Sequence, residues 1–193
     1  NGTAFQENVA SGIDGSQGGG ALFNIGGTLN LTNVTLRDNM ASGEAMSSGG
    51  GIMVDGGMLM VRGSSFVGNS ATRAGGAIEL DARNNPASLD IADSFFTANS
   101  TGAAPGNGGA IHISGAGSAE ISGGTVTNNT AAREGGGFWN GGGTMNVDGT
   151  LFANNTAAGA GADDGGGALF NQGGTLNINS AKIIDNSATG AKG

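Results

Sequence analysis

An apolar residue followed three positions later by Asn recurs seven times along the 193-residue chain: Phe5/Asn8, Leu36/Asn39, Phe66/Asn69, Phe96/Asn99, Val126/Asn129, Phe152/Asn155 and Ile183/Asn186. Successive Asn residues stand 31, 30, 30, 30, 26 and 31 positions apart. A glycine cluster precedes a short apolar run six times, its last Gly being Gly20, Gly51, Gly76, Gly109, Gly137 and Gly167. Between cluster and motif lies an alternating pair: Leu29/Leu31, Leu59/Val61, Leu89/Ile91, Ala119/Ile121, Met145/Val147 and Leu176/Ile178. Each pair stands seven and five residues before the apolar residue of its motif, an offset that chance does not hold through six units. Self-similarity at such a period marks a repeat architecture.

Each unit contains three short strand-like segments separated by turns rich in Gly, Asn, Ser and Ala. Thr28 to Leu31 alternates polar and apolar, as a half-buried strand does. One such unit cannot bury its apolar side alone, whereas stacked units bury a continuous core and pair each strand with its copies above and below. The expected fold is therefore an all-β parallel β-helix, or solenoid. It should have about six coils of roughly 30 residues with three strands each, as one domain over residues 1–193. Coils would rise about 4.8 Å apiece. A propeller fits less well, since its blades need four strands and about 40–45 residues. The chain holds 42 Gly and 2 Pro, close to disordered compositions, but these glycines recur at corners, where they supply φ > 0 and close approach. Asn8, Asn39, Asn69, Asn99, Asn129, Asn155 and Asn186 should stack as a structural ladder, each amide donating to and accepting from its neighbours.

These residues resemble the repeats of the polymorphic outer membrane proteins, which carry Gly-Gly-Ala-(Ile/Leu/Val) and Phe-x-x-Asn motifs. The matching stretches are 19–22, 75–78, 108–111 and 166–169, with Phe5 to Asn8, Phe66 to Asn69, Phe96 to Asn99 and Phe152 to Asn155. They are also similar to the Gly/Asn/Thr-rich β-helix arrays of large bacterial surface proteins. The resemblance implies a right-handed helix, display outside the cell and a part in adhesion. Leu36, Val126 and Ile183 depart from it by replacing Phe.

Composition narrows the chemistry. Seven cations against fifteen acids, a net charge of −8, give no basic stripe for nucleic acid or anionic membranes. Without cysteine there is neither a disulfide framework nor a thiolate metal site. No apolar run approaches the roughly 20 residues of a membrane span. The enzyme alternative is a polysaccharide lyase or glycoside hydrolase on coils three and four. There Asp90 and Glu120 should stack about 5 Å apart, near the separation of a retaining pair. Glu79 and His112 take equivalent outward positions one strand earlier, His112 being expected as an exposed, isolated histidine. No Tyr is present, and no Lys before Lys182, so a non-enzymatic reading is preferred and no cofactor is expected.

Ca²⁺ is the one metal considered, since oxygen-rich turns suit it. Acids precede the glycines at Asp14, Glu44 and Glu134, but only the neighbours Asp163 and Asp164 form a candidate pair. Trp139 counts into the inward column with Met53, and Phe23, Phe138 and Phe170 into outward ones. Asn-x-Ser/Thr triplets at Asn1, Asn30, Asn33, Asn99, Asn128 and Asn154 follow from an Asn- and Thr-rich composition.

Neither end carries a polar cap, so the chain is expected to be a segment of a longer array or a filament subunit. Nineteen strands, at three per coil, favour the segment. Partners are then neighbouring solenoid repeats, or a second copy joined through bare ends, with host or surface glycans as ligands. The expected location is extracellular or cell-surface, in a bacterium or archaeon.

Overall fold

The computed structural model describes residues 2–13, 17–43, 47–103, 105–161 and 163–190. Among these no helix forms, and the strands lie in four parallel sheets of six, six, seven and seven. Coil 3 shows the plan. Ile78–Ala82 joins the first sheet, Ala87–Ala92 the second, Phe95–Thr97 the third and Ser100–Thr101 the fourth. Coils 1 to 6 run Leu22–Ala41, Ile52–Ala71, Ile78–Thr101, Ile111–Ala131, Phe138–Ala157 and Leu169–Ala188, after a partial turn at Ala4–Ala10. The three expected segments are all present. The fourth, two residues long, follows each ladder Asn where the pattern predicts only a turn. Small residues such as Ser100 and Thr101 give it no apolar alternation to betray it. The count of nineteen strands thus becomes twenty-six, and the inference about stacking drawn from multiples of three does not carry over.

Alternation sets the second sheet. Leu89 and Ile91 register with Leu59 and Val61 below and with Ala119 and Ile121 above, all six buried. The third sheet sends one residue per coil inward. Phe66 and Phe96 stack with ring centres 4.7 Å apart, and Phe138 meets Phe96 and Phe152 edge-on at 5.9 and 5.1 Å. Such pairs add about 0.5–1.5 kcal/mol each beyond the area they bury.

The Asn ladder is continuous. In Asn99 the side-chain Nδ2 and the backbone N–H both donate to Asn129 Oδ1 at 2.9 Å, while the second amide hydrogen reaches Phe66 O at 3.0 Å. Asn69 donates to Asn99 Oδ1 in the same way, and the pattern runs from Asn8 to Asn186. Residues 39, 69, 99, 129 and 155 are fully buried, so the amides replace water as partners for backbone at the corner.

Opposite the ladder strand, the glycine cluster lies flush on the fourth sheet. A Cβ on Gly76 would stand 2.1 Å from Gly109 O and 2.6 Å from both N and O of Ser100. Only glycine fits there, because backbone closes the space on several sides.

The inward first-sheet residue of coil 5 is Phe138, paired with Ile111, and Trp139 points outward beside His112. This reverses the expected facing of both. Gly137 stands where Ala110 stands in coil 4, so counting from the last glycine shifts the register by one, and a one-residue slip exchanges the faces of a strand. Met53 moves outward for the same reason, aligned with Glu79.

Coil lengths vary at defined places. From the first inward residue of the second sheet to the ladder, the chain always spends ten residues, as in Leu59 to Asn69 and Met145 to Asn155. The corner between first and second sheets takes 7 to 11 residues, Ile78 to Leu89 being the longest. The turn from ladder to first sheet takes 9 to 14.

Candidate functional site

The outward face of the first sheet is covered in its central coils. Met53, Glu79, His112 and Trp139 form one column across coils 2 to 5, and they are 0, 0, 3 and 7% exposed. The turns after the ladder supply the cover. Ser48, Ala74, Asn107 and Glu134 pair in parallel from coil to coil and are themselves buried. Charged side chains join cover to wall. Arg73 donates to Ser48 Oγ at 3.1 Å and lies 3.8 Å from Glu79 Oε1. Trp139 Nε1 donates to Glu134 Oε2 at 3.0 Å.

Glu79 and His112 are the sequence candidates brought together here: Glu79 Oε2 lies 2.8 Å from His112 Nδ1. The isolated, exposed histidine expected from the sequence is instead buried and paired, its ring stacked on Trp139 at 4.2 Å. Ser114 donates to Glu79 Oε1 at 2.7 Å, with its Oγ 3.4 Å from the same Nδ1. Acid, imidazole and hydroxyl therefore meet, but not as a nucleophilic relay. In such a relay the serine hydroxyl gives its proton to the ring nitrogen opposite the acid. Here serine and acid share one nitrogen, and the serine hydroxyl donates to the carboxylate. Grooves of about 320 and 350 Å³ elsewhere on the rod are lined by neither Glu79 nor His112.

Asp90 and Glu120 are direct register partners, as expected. Their carboxylates turn apart along the axis: Asp90 pairs with Arg62, and Glu120 accepts from Asn146 Nδ2 at 2.6 Å. In the candidate calcium turn, Asp164 accepts from Arg133 Nε at 2.6 Å and from the Gly161 N–H at 2.7 Å, whereas Asp163 is exposed. A cation bound to Asp164 would have to displace the guanidinium. The Arg133 hydrogen bond holds the Asp164 carboxyl below its usual value. Asp14 and Glu44 lie outside the described residues.

Asp81, on the same face as Glu79, forms a bidentate pair with Arg83 at 2.9 and 2.5 Å. Burial pushes the Asp81 carboxyl up, but hydrogen bonds from Arg83 outweigh it and leave it below the ordinary 3.8. A carboxyl depressed on folding adds stability above its unfolded value and loses it as pH falls through the folded one. Arg83→Gln should therefore melt lower than the parent at neutral pH, the gap closing as pH drops below 3.8. Thermal melts across that range check this, and a gap independent of pH would contradict it.

Arg73, Ser114 and Glu134 were not singled out as partners, because they sit in turns of variable length or are small. The available signal was the outward column itself: Met53, Trp139 and Phe170 share it, and large apolar residues in register imply cover. Reading it required counting from the strands rather than from the glycines.

Residues 63–80 match the family model of the Chlamydia polymorphic membrane protein repeat. That stretch holds Phe66 to Asn69 and Gly75 to Ile78, the two halves of the motif that the other coils repeat. No curated protein and no solved structure matches the chain.

Proposed function

We propose that the chain is a surface-displayed β-solenoid, non-enzymatic, that serves a bacterial cell as a structural and adhesive element. The observation that carries this reading is the match of residues 63–80, from the end of coil 2 to the start of coil 3, to the polymorphic membrane protein repeat, within a stack whose other coils follow the same pattern. A bacterial surface is favoured on this ground, and nothing points to an archaeal one. The side-chain chemistry supports a scaffold. Glu79, His112 and Ser114 satisfy one another out of solvent, and Asp90 and Glu120 are tied to different neighbours. The work of the rod is geometric: it holds side chains at the spacing of parallel strands, about 4.8 Å. Unpaired edges of its outermost strands suit addition of further coils, from the same polypeptide or a second copy. The reading needs neither a cofactor nor Ca²⁺.

Antibody raised against the chain should label intact cells of the source bacterium as strongly as permeabilised ones. The purified chain should leave acidic and neutral polysaccharides uncleaved. Labelling only after permeabilisation would overturn the surface reading. Cleavage abolished by Asp90→Asn with Glu120→Gln would establish the enzyme instead.

A further inference from the structure

The geometry points to a binding site for neutral, hydroxyl-rich oligosaccharide chains on the outward face of the second sheet in coils 4 to 6. The strands Ser118–Ser122, Thr144–Asp148 and Thr175–Asn179 turn nine side chains to that face, and each is a hydroxyl, an amide or a carboxylate. The same face in coils 2 and 3 carries Met58, Met60, Arg62 and Ala92, which separate this three-coil polar patch from the single polar strand of coil 1, Thr28, Asn30 and Thr32. The reading rests on the surface function proposed above and deepens it by naming a ligand class.

Side chains here are held in place rather than free. Asn177 Nδ2 donates to Asn146 Oδ1 at 2.8 Å, and Asn146 Nδ2 donates in turn to Glu120 Oε1 at 2.6 Å. In the next row Asn179 Nδ2 donates to Asp148 Oδ1 at 2.8 Å. The two rows flank a groove of about 350 Å³, and between them run the strand positions of Ile121 and Val147, whose side chains are buried in the core. Locking the rows in advance lowers the ordering cost of binding. It also leaves valences to spare: each amide keeps a second N–H, and each carboxylate an oxygen.

That donor and acceptor set selects among ligands. Carboxylate oxygens accept from hydroxyls, and amide hydrogens donate to ring and hydroxyl oxygens, so a polyol satisfies both. Glu120 and Asp148 repel uronic-acid polymers and nucleic acids. The face offers no aromatic or aliphatic side chain to an apolar partner. Within each row side chains recur about every 4.8 Å along the rod, a step on the scale of one sugar ring, so a linear chain laid along the axis meets polar groups at successive units. Contacts of this kind are individually weak and gain by repetition.

Calorimetric titration of the purified chain with chitohexaose, mannohexaose and hexagalacturonate tests the site. A neutral hexamer is expected to bind at least tenfold tighter than the acidic one. Asn146→Ala with Asn177→Ala should weaken it tenfold or more at an unchanged melting temperature. Met60→Leu, on the same sheet outside the patch, should bind as the parent does. If the double variant melts lower, Asn177→Ala alone, at an exposed position, replaces it with the same expectation. Absence of binding by both neutral hexamers, equal binding of hexagalacturonate, or undiminished binding by a folded variant would overturn the site. Labelling of intact cells is read independently of these titrations, so the surface function and the glycan site fail separately.

Discussion

Asn99→Leu should melt about 10 °C below the parent protein. Leucine is close to asparagine in size, so the packing change is modest and the loss is polar. Removing the amide strips the acceptor from the Asn69 N–H and side-chain Nδ2 and the donor from Phe66 O, and it leaves Asn129 Oδ1 with the backbone N–H of residue 99 but without the side-chain donor. These groups are buried, and each orphaned one costs about 1–3 kcal/mol. Even with partial relaxation the sum is about 4 kcal/mol, and a chain of this length shifts by roughly 2–4 °C per kcal/mol. Asn186→Leu makes the contrast, since it sits in the outermost coil, partly exposed, where water can replace what is lost. Scanning calorimetry of the two variants checks the expectation, and equal shifts would mean that the ladder adds little.

Gly76→Ala should be worse than its single methyl suggests. The new Cβ would meet backbone atoms of Gly109, in the entry turn of the next coil, and of Ser100, in the fourth sheet, closer than any real Cβ approaches them. No side chain is available to swing away. Relief requires parting coil 3 from coil 4, so the loss should exceed about 3 kcal/mol, the upper end for overpacking. Weak near-neighbour coupling in a stacked rod would make those two coils melt first. Gly165→Ala is the control, because nothing lies within 4 Å of the added methyl. Hydrogen exchange on the two variants should show early opening at coils 3 and 4 for the first and none for the second.

Much of the architecture was open to reading from sequence because its determinants repeat. Leu89 and Ile91 recur at a fixed distance before Asn99, and period-two alternation assigns them inward without knowledge of any other coil. The Asn column was equally legible, since an invariant polar residue among varying neighbours implies a shared partner. Trp139 and His112 escaped for a different reason. Their facing depends on a one-residue register at the glycine cluster, and their burial on turns that share no motif. Ser48, Ala74, Asn107 and Glu134 each stand five residues before the column residue of their coil, Met53, Glu79, His112 and Trp139, but the residue type changes at every copy and so makes no motif. A position that repeats while its side chain changes is found only by counting back from the strand.

The ten residues from second sheet to ladder have a consequence for what the thirty-residue period is. Coil 3 has a short entry turn and a long first corner, coil 4 the reverse, and both still close at thirty. The period is therefore a balance between two adjustable links, while the invariant ruler is one third of it. One flank of the rod keeps the metre and the other is free to change its wording. Insertions at Asp81 to Ala87 or after a ladder Asn would enlarge the profile sideways and leave the spacing along the axis untouched.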